Sequence, residues 1–83
     1  MEIIPNPFSE VATINISFPY TDKATVKIYN YIGQQVAIVF EQEAIKKQAY
    51  KINFDGKHLN NGIYFVVVRT NQETKISKVV VSK

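Results

Sequence analysis

"LNNGIYFVVVRT", residues 59–70, is the stretch that decides how this chain folds. Residues 63–68 are apolar at every position, and successive side chains of a strand point to opposite sides of a sheet. A run that is apolar on both sides is typical of a central strand. The dipeptide Asn61-Gly62 in front of it is a strong turn signal, and we expect Gly62 to take a positive φ.

The runs that precede it alternate between apolar and polar residues, which is the period of a strand that buries one face. Their apolar positions are Ile14, Ile16 and Phe18, then Val26 and Ile28, then Val36, Ile38 and Phe40, then Tyr50, Ile52 and Phe54. Gly33 lies where a hairpin favours a positive φ. Residues 40–48, FEQEAIKKQ, are interpreted as a polar loop or one irregular turn.

The last run, residues 75–83, follows residues 63–68 after a short polar loop, so these two runs are expected to form a hairpin. Six or seven short strands at a spacing of about 8–12 residues predict an all-β sandwich or barrel. No amphipathic helix and no internal repeat interrupts the pattern. With 83 residues, residues 1–83 are expected to form one small domain, and we expect a monomer.

Composition argues against chemistry carried by this chain. It has no cysteine, and His58 is its only histidine, whereas zinc normally needs several ligands of these kinds. The carboxylates are scattered, and no serine lies in a glycine-flanked elbow. We therefore predict no enzyme activity, no catalytic residue, no metal and no cofactor. The net charge of +3 falls short of a nucleic-acid-binding footprint, so no nucleic-acid partner is expected.

Neither a membrane-spanning helix nor an N-terminal signal peptide is expected from this sequence. No apolar run approaches the roughly 18 residues that a transmembrane helix needs. The acidic start MEIIPNPFSE lacks the basic and apolar regions of a signal peptide. Either the protein is cytoplasmic, or Met1 begins a piece of a longer chain.

Two local features have competing interpretations. Asn6-Pro7-Phe8 matches a tripeptide that some endocytic adaptor domains bind, but the favoured interpretation is a turn with Phe8 anchored in the core. Tyr29 and Tyr31 share one side of their strand with Lys27, a pattern that suits either a sugar-binding stripe or ordinary exposed strand residues.

Four short sequence motifs occur in a fixed order along the chain, and together they carry a resemblance. They are PNPF at residues 5–8, Gly33-Gln34, L-x-x-G-I-Y at residues 59–64, and the basic-apolar run at residues 75–83. In this order they resemble the type A C-terminal sorting domain of the type IX (Por) secretion system of Bacteroidetes. The resemblance spans residues 3–83. It departs at IKKQAY, residues 45–50, where the family often has a glycine, so the turn there is in doubt.

The resemblance implies a fold, a role and a set of partners. The implied fold is an immunoglobulin-like antiparallel β-sandwich of about seven short strands. The implied role is a C-terminal secretion and sorting signal that directs an attached, N-terminally fused cargo protein across the outer membrane. Implied partners are outer-membrane type IX components and a sorting peptidase. The cargo would be secreted or held at the cell surface via the periplasm, as part of a larger precursor.

The residues expected to take part in recognition belong to these four motifs. They are Pro5, Asn6, Pro7, Phe8, Gly33, Leu59, Gly62, Ile63, Tyr64, Lys75, Lys78, Val79, Val80, Val81 and Lys83. A terminal strand can be recognised by strand addition, and its lysines, with Arg69 nearby, add positive charge. The alternative is that these lysines only protect a sheet edge.

Two other function classes compete with the sorting signal. One is a non-catalytic carbohydrate- or cell-surface-binding β-sandwich appended to a secreted enzyme, which the Tyr29 and Tyr31 stripe motivates. The other is a passive spacer of the fibronectin-like kind, which normally has chain on both sides.

Overall fold

Seven strands form two antiparallel sheets in the computed structural model, which describes residues Met1–Lys83. The strands are β1 (Glu2–Ile4), β2 (Val11–Ile16), β3 (Asp22–Asn30), β4 (Gln35–Ala44), β5 (Tyr50–Asp55), β6 (Gly62–Thr70) and β7 (Thr74–Val81). One sheet has the order β1-β2-β5 and the other β4-β3-β6-β7. This confirms the predicted all-β sandwich of about seven short strands. None of the chain forms a helix of the length and apolarity that crossing a membrane requires.

The two sheets bury their alternating apolar residues against each other in one core. That core contains Ile3, Phe8, Ala12, Ile14, Ile16, Phe18, Ala24, Val26, Ile28, Ala44, Ile52, Phe54, Tyr64, Val66, Val68, Val79 and Val81. Most of the alternating positions predicted from the sequence are among them. Each large aliphatic or aromatic side chain buried in this way contributes about 1.5–3 kcal/mol of transfer free energy. The period-two pattern therefore accounts for the sandwich.

The strand β6 is central in its sheet, as the sequence predicted, since it lies between β3 and β7. Its inner side chains Tyr64, Val66 and Val68 are buried in the core. Its outer side chains are also apolar, but no second layer covers them, and Ile63 remains 41% exposed. The central position explains only the inner half of this apolar run.

The interpretation of residues 40–48 as a loop or irregular turn was wrong for its first half. The strand β4 continues to Ala44, which is fully buried and pairs with Asp22 of β3. Glu43 lies on the solvent side, opposite Lys23. The polar letters of this segment are therefore the wet face of an edge strand, which a hydropathy pattern alone does not separate from a loop.

The expectation that Val36, Ile38 and Phe40 share one face was also wrong. The pairing of β4 with β3 shifts register between Val26 and Lys27, so that Phe40 pairs with Val26 and Ile38 with Lys27. A β-bulge of this kind adds a residue to one strand and moves the following side chains to the other face. Phe40 consequently packs against the core, and Ile38 points outward.

Both glycines singled out from the sequence have the expected positive φ. Gly33, in the β3–β4 hairpin, has a φ of 87°, and its N–H donates to the Asn30 carbonyl at 3.0 Å. The Asn30 side chain holds the same turn by accepting from the N–H of Gln34 at 2.9 Å. Gly62, where β6 begins, has a φ of 148°, which L side chains rarely adopt.

Candidate recognition surface

Sequence motifs that lie far apart in the chain meet at one end of the sandwich. Val81 of β7 pairs with Gly62, and Phe8 forms a parallel bridge to Val81. We call this region, made of residues 5–8, 56–62 and 79–83, the motif end. The Gly33 turn lies at the same end of the four-stranded sheet, because Asn30 of β3 pairs with Tyr64 of β6.

Residues 5–8 act as a short clip on the outer edge of β7. The Asn6 amide Nδ2 donates to the Lys78 carbonyl at 3.2 Å, and its Oδ1 accepts from the Val80 N–H at 3.1 Å. The clip continues in the backbone, where the Phe8 N–H donates to the Val80 carbonyl at 3.0 Å and the Phe8 carbonyl accepts from the Ser82 N–H at 2.8 Å. A side-chain amide has the donor and acceptor of a peptide group, so Asn6 extends the backbone pairing by one residue.

Phe8 fixes the clip to the core, which confirms its predicted anchoring. It is 2% exposed, and its ring centroid lies 5.3 Å from that of Phe54. The backbone of Gly56 passes so close that a Cβ there would lie 2.8 Å from the Phe8 ring. A buried phenylalanine is not offered to a partner, so the adaptor-ligand interpretation of Asn6-Pro7-Phe8 does not fit the folded domain. Pro5 and Pro7 are exposed beside it.

The motif at residues 59–64 combines an exposed loop with a buried anchor. The Tyr64 ring is buried, and its hydroxyl donates to the Asn60 carbonyl at 2.8 Å. Leu59 is half-buried against the core, and its N–H donates to the Gly56 carbonyl at 3.0 Å. Ile63 points to the outer face of the sheet, opposite Val80. Tyr64 and Leu59 of this motif thus hold the loop at the motif end in place.

Lys83 is tied down within the molecule. Its ammonium donates to two backbone carbonyls, that of Lys57 at 2.7 Å and that of Leu59 at 2.6 Å. Its backbone N–H donates to Asn61 Oδ1 at 3.0 Å. Hydrogen bonds from a charged donor are among the stronger ones. This lysine therefore clamps the end of the chain to the loop that precedes β6.

The other basic residues do not join Lys83 in one cluster. Lys75 lies at the opposite end of β7, where its ammonium is 3.8 Å from a Glu73 carboxylate oxygen, and Arg69 lies at the same end, paired with Thr74. Lys78 is exposed on the outer face of the four-stranded sheet. The three valines of β7 divide between the two faces. Val79 and Val81 are buried, and Val80 is half-buried on the outer face.

Local sequence patterns do not identify three residues that build the motif end. Gly56 was visible only as part of an Asp-Gly turn, yet its lack of a Cβ makes room for Phe8. Asn61 receives the last backbone N–H of the chain, and the Lys57 carbonyl receives the Lys83 ammonium. Each depends on a contact between distant segments, which no local pattern reports.

No three side chains of His, Cys, Asp or Glu are grouped so that they could hold a metal ion. His58 is exposed in the loop after β5. The motif end offers backbone edges, apolar groups and one clamped ammonium.

A scan of protein families matches residues 2–82 to the Secretion system C-terminal sorting domain. The chain belongs to this family. It is a C-terminal sorting signal for type IX secretion, as the resemblance implied, and the carbohydrate- or surface-binding alternative is not favoured. The family is one of sorting signals and not of catalysts. A search of curated proteins found no match.

Proposed function

We propose that this sorting domain is recognised in its folded form, and that the motif end is the part that outer-membrane type IX components contact. One observation carries the proposal. Asn6 and Phe8 form hydrogen bonds with Lys78, Val80 and Ser82. The first and last motifs of the domain therefore form one surface only after folding. A receptor that required both motifs would therefore distinguish a folded domain from an unfolded one.

The position of the N-terminus supports a cargo fused in front of the domain. Glu2 pairs with Asn15, and Met1 lies beside Ser17 and Ala49, at the opposite end of its sheet from the motif end. A cargo chain that precedes Met1 would leave the motif end free. We propose that a sorting peptidase removes the domain upstream of β1 and that the cargo is released or retained at the cell surface.

The test uses a periplasm-directed reporter fused in front of residues 1–83, in a host with type IX machinery. The wild-type fusion should appear in the medium or at the cell surface. Asn6→Ala removes the side-chain half of the clip and should lower the exported fraction. The matched control is Ile52→Val, a buried change in β5 that costs about 0.5–1.5 kcal/mol without touching the motif end.

The comparison separates recognition from stability. If the motif end is recognised, Asn6→Ala is exported less well than Ile52→Val even though both variants are folded. Equal export of the two variants would assign any defect to stability and refute recognition at the motif end. A wild-type fusion that stays in the periplasm of a competent host would refute the proposed function itself.

A further inference from the structure

The outer face of the four-stranded sheet is apolar and has no covering layer. Its apolar side chains, which we call the apolar face, are Ile38, Ile63, Phe65, Val67, Ile76 and Val80. Those on β6 and β7 are adjacent, because Val67 pairs with Ile76 and Ile63 pairs with Val80, whereas Ile38 is separated from Val67 by Lys27, which pairs with both. Ile38 and Ile76 are 49% and 65% exposed.

The fold does not require this face to be apolar. The outer face of the three-stranded sheet does the same structural work with polar residues, among them Thr13, Asn15, Lys51 and Asn53. An antiparallel sheet with one solvated face normally alternates apolar-in with polar-out. Ile38 and Ile76 even lie on the two edge strands, β4 and β7, where polar or charged residues usually protect against association. Contiguous exposed apolar surface of this kind marks an interaction site.

Two lysines lie within the apolar face, and Glu41, opposite Thr25, borders it on the same side of the sheet. Lys27 is half-buried between Ile38 and Val67, and Lys78 lies opposite Phe65. Neither ammonium has a carboxylate partner, since the one ion pair in the molecule joins Lys75 and Glu73. A surface that buried this face would have to supply the carboxylates, because a buried ammonium without a partner is costly.

We infer that the apolar face docks on a protein surface that presents apolar side chains with carboxylates opposite Lys27 and Lys78. The inference rests on the proposed function, and its partner is the outer-membrane receptor of the sorting domain. Ile63 and Val80 belong to the apolar face and adjoin the Gly62–Val81 pair, so the face is continuous with the motif end. One receptor can therefore contact both.

Two other occupants fit the face less well. Two copies of this chain packed face to face would bring Lys27 and Lys78 of both copies together with Glu41 only at the border, which disfavours a homodimer. A sugar would need exposed aromatic rings, and the aromatic residues of this sheet face, Phe65 and Tyr29, are half-buried. Tyr31 is 76% exposed, but it lies in the hairpin turn outside the strands.

The apolar arm of the test uses the export assay and two double variants matched for exposure. Ile38→Thr with Ile76→Thr removes apolar surface from the apolar face and keeps β-branched side chains in the strands. Ile4→Thr with Val11→Thr removes similar exposed surface, 50% and 41% exposed in the wild type, from the outer face of the other sheet. We expect the first pair to lower export by about tenfold and the second to leave it near the wild-type level.

The charge arm tests the stated chemistry of the partner. Lys27→Glu with Lys78→Glu should lower export, whereas Lys27→Arg with Lys78→Arg should preserve it. Circular dichroism melting of each purified domain shows that the variants fold. This arm also decides the question if the threonine variants fail to fold, because it changes only exposed or half-exposed side chains.

Each result supports or overturns the inference. Folded variants of both arms that are exported like the wild type overturn docking on the apolar face while the proposed function stands. Export lost equally in both threonine pairs overturns it as well. A dimer of the wild type in sedimentation experiments that Ile38→Thr with Ile76→Thr dissociates makes a second copy the occupant. A wild-type fusion that is never exported overturns both proposals together.

Discussion

The clip between Asn6 and β7 gives the sharpest prediction about stability. Asn6→Ala removes two hydrogen bonds, one to the Lys78 carbonyl and one from the Val80 N–H. A typical intramolecular hydrogen bond contributes about 0.5–1.5 kcal/mol net, and water can replace part of these exposed ones. We expect a loss of about 1–2 kcal/mol in the free energy of unfolding. For a domain of this size each kcal/mol lowers the melting temperature by about 4–8 °C.

The loss should be local, which allows a measurement at single residues. The backbone bonds of Phe8 to Val80 and Ser82 are left in place by the substitution. The Val80 amide, whose acceptor is the Asn6 side chain, should therefore exchange with solvent faster than in the wild type. The Ser82 amide, whose acceptor is the Phe8 carbonyl, should lose less protection. Hydrogen exchange by NMR and urea denaturation together measure both effects.

Asn53→Ala is the matched control. Asn53 is also an exposed asparagine, but its one side-chain hydrogen bond accepts from the Thr13 hydroxyl at 3.4 Å. The substitution should change stability by no more than about 0.5 kcal/mol. If Asn6→Ala has the denaturation midpoint of Asn53→Ala and the Val80 amide exchanges at its wild-type rate, the clip does not hold the edge of β7 in solution.

Three further substitutions at the motif end, and one control outside it, are tested by denaturation. Gly56→Ala should cost about 1–3 kcal/mol, because the new Cβ meets the buried Phe8 ring at 2.8 Å, and an unchanged midpoint would mean that the ring moves aside freely. Gly62→Val should cost more than about 1 kcal/mol through its φ of 148° alone, since no atom crowds the position. Lys83→Met should cost about 1 kcal/mol and Lys75→Met less than about 0.5, because only the Lys83 ammonium bonds two carbonyls. Equal costs for the two lysines would refute the clamp.

The architecture was predictable from the sequence because strand alternation reports burial directly. Residues such as Ile14, Val26 and Phe54 stand at alternating positions and are all fully or almost fully buried. The glycines that close turns were also readable, since Gly33 and Gly62 precede or separate apolar runs and have positive φ. These signals are local, and each strand carries its own.

The errors arose where pairing with another strand decides the outcome. The bulge that turns Ile38 outward exists only in the register between β3 and β4. The second half of β4 looks polar because most of its side chains face solvent, and its pairing with β3 up to Ala44 identifies it as a strand. A window of a few residues does not show the bulge and does not separate the wet face of such a strand from a loop.

The motifs of the candidate recognition surface were predictable from the sequence, but their location in the fold was not. The resemblance selected Phe8, Tyr64 and Lys83 without indicating that the first two are buried anchors and the third is a clamp. The bonds of Asn6 to β7 span most of the chain, with a sequence separation of 74 residues to Val80. Contacts over such separations follow from the topology, which has to be built before they can be seen.

The division of β7 into a covered and an open part connects stability with sorting. The clip covers its outer edge from Lys78 to Ser82, and no element pairs with the edge from Thr74 to Ser77. An uncovered edge next to an apolar face invites association with other strands. Covering the end of β7 limits this risk at the motif end, while the apolar face stays open for a partner. The proposed recognition needs both properties, because the domain would have to remain folded and unaggregated until a receptor binds it.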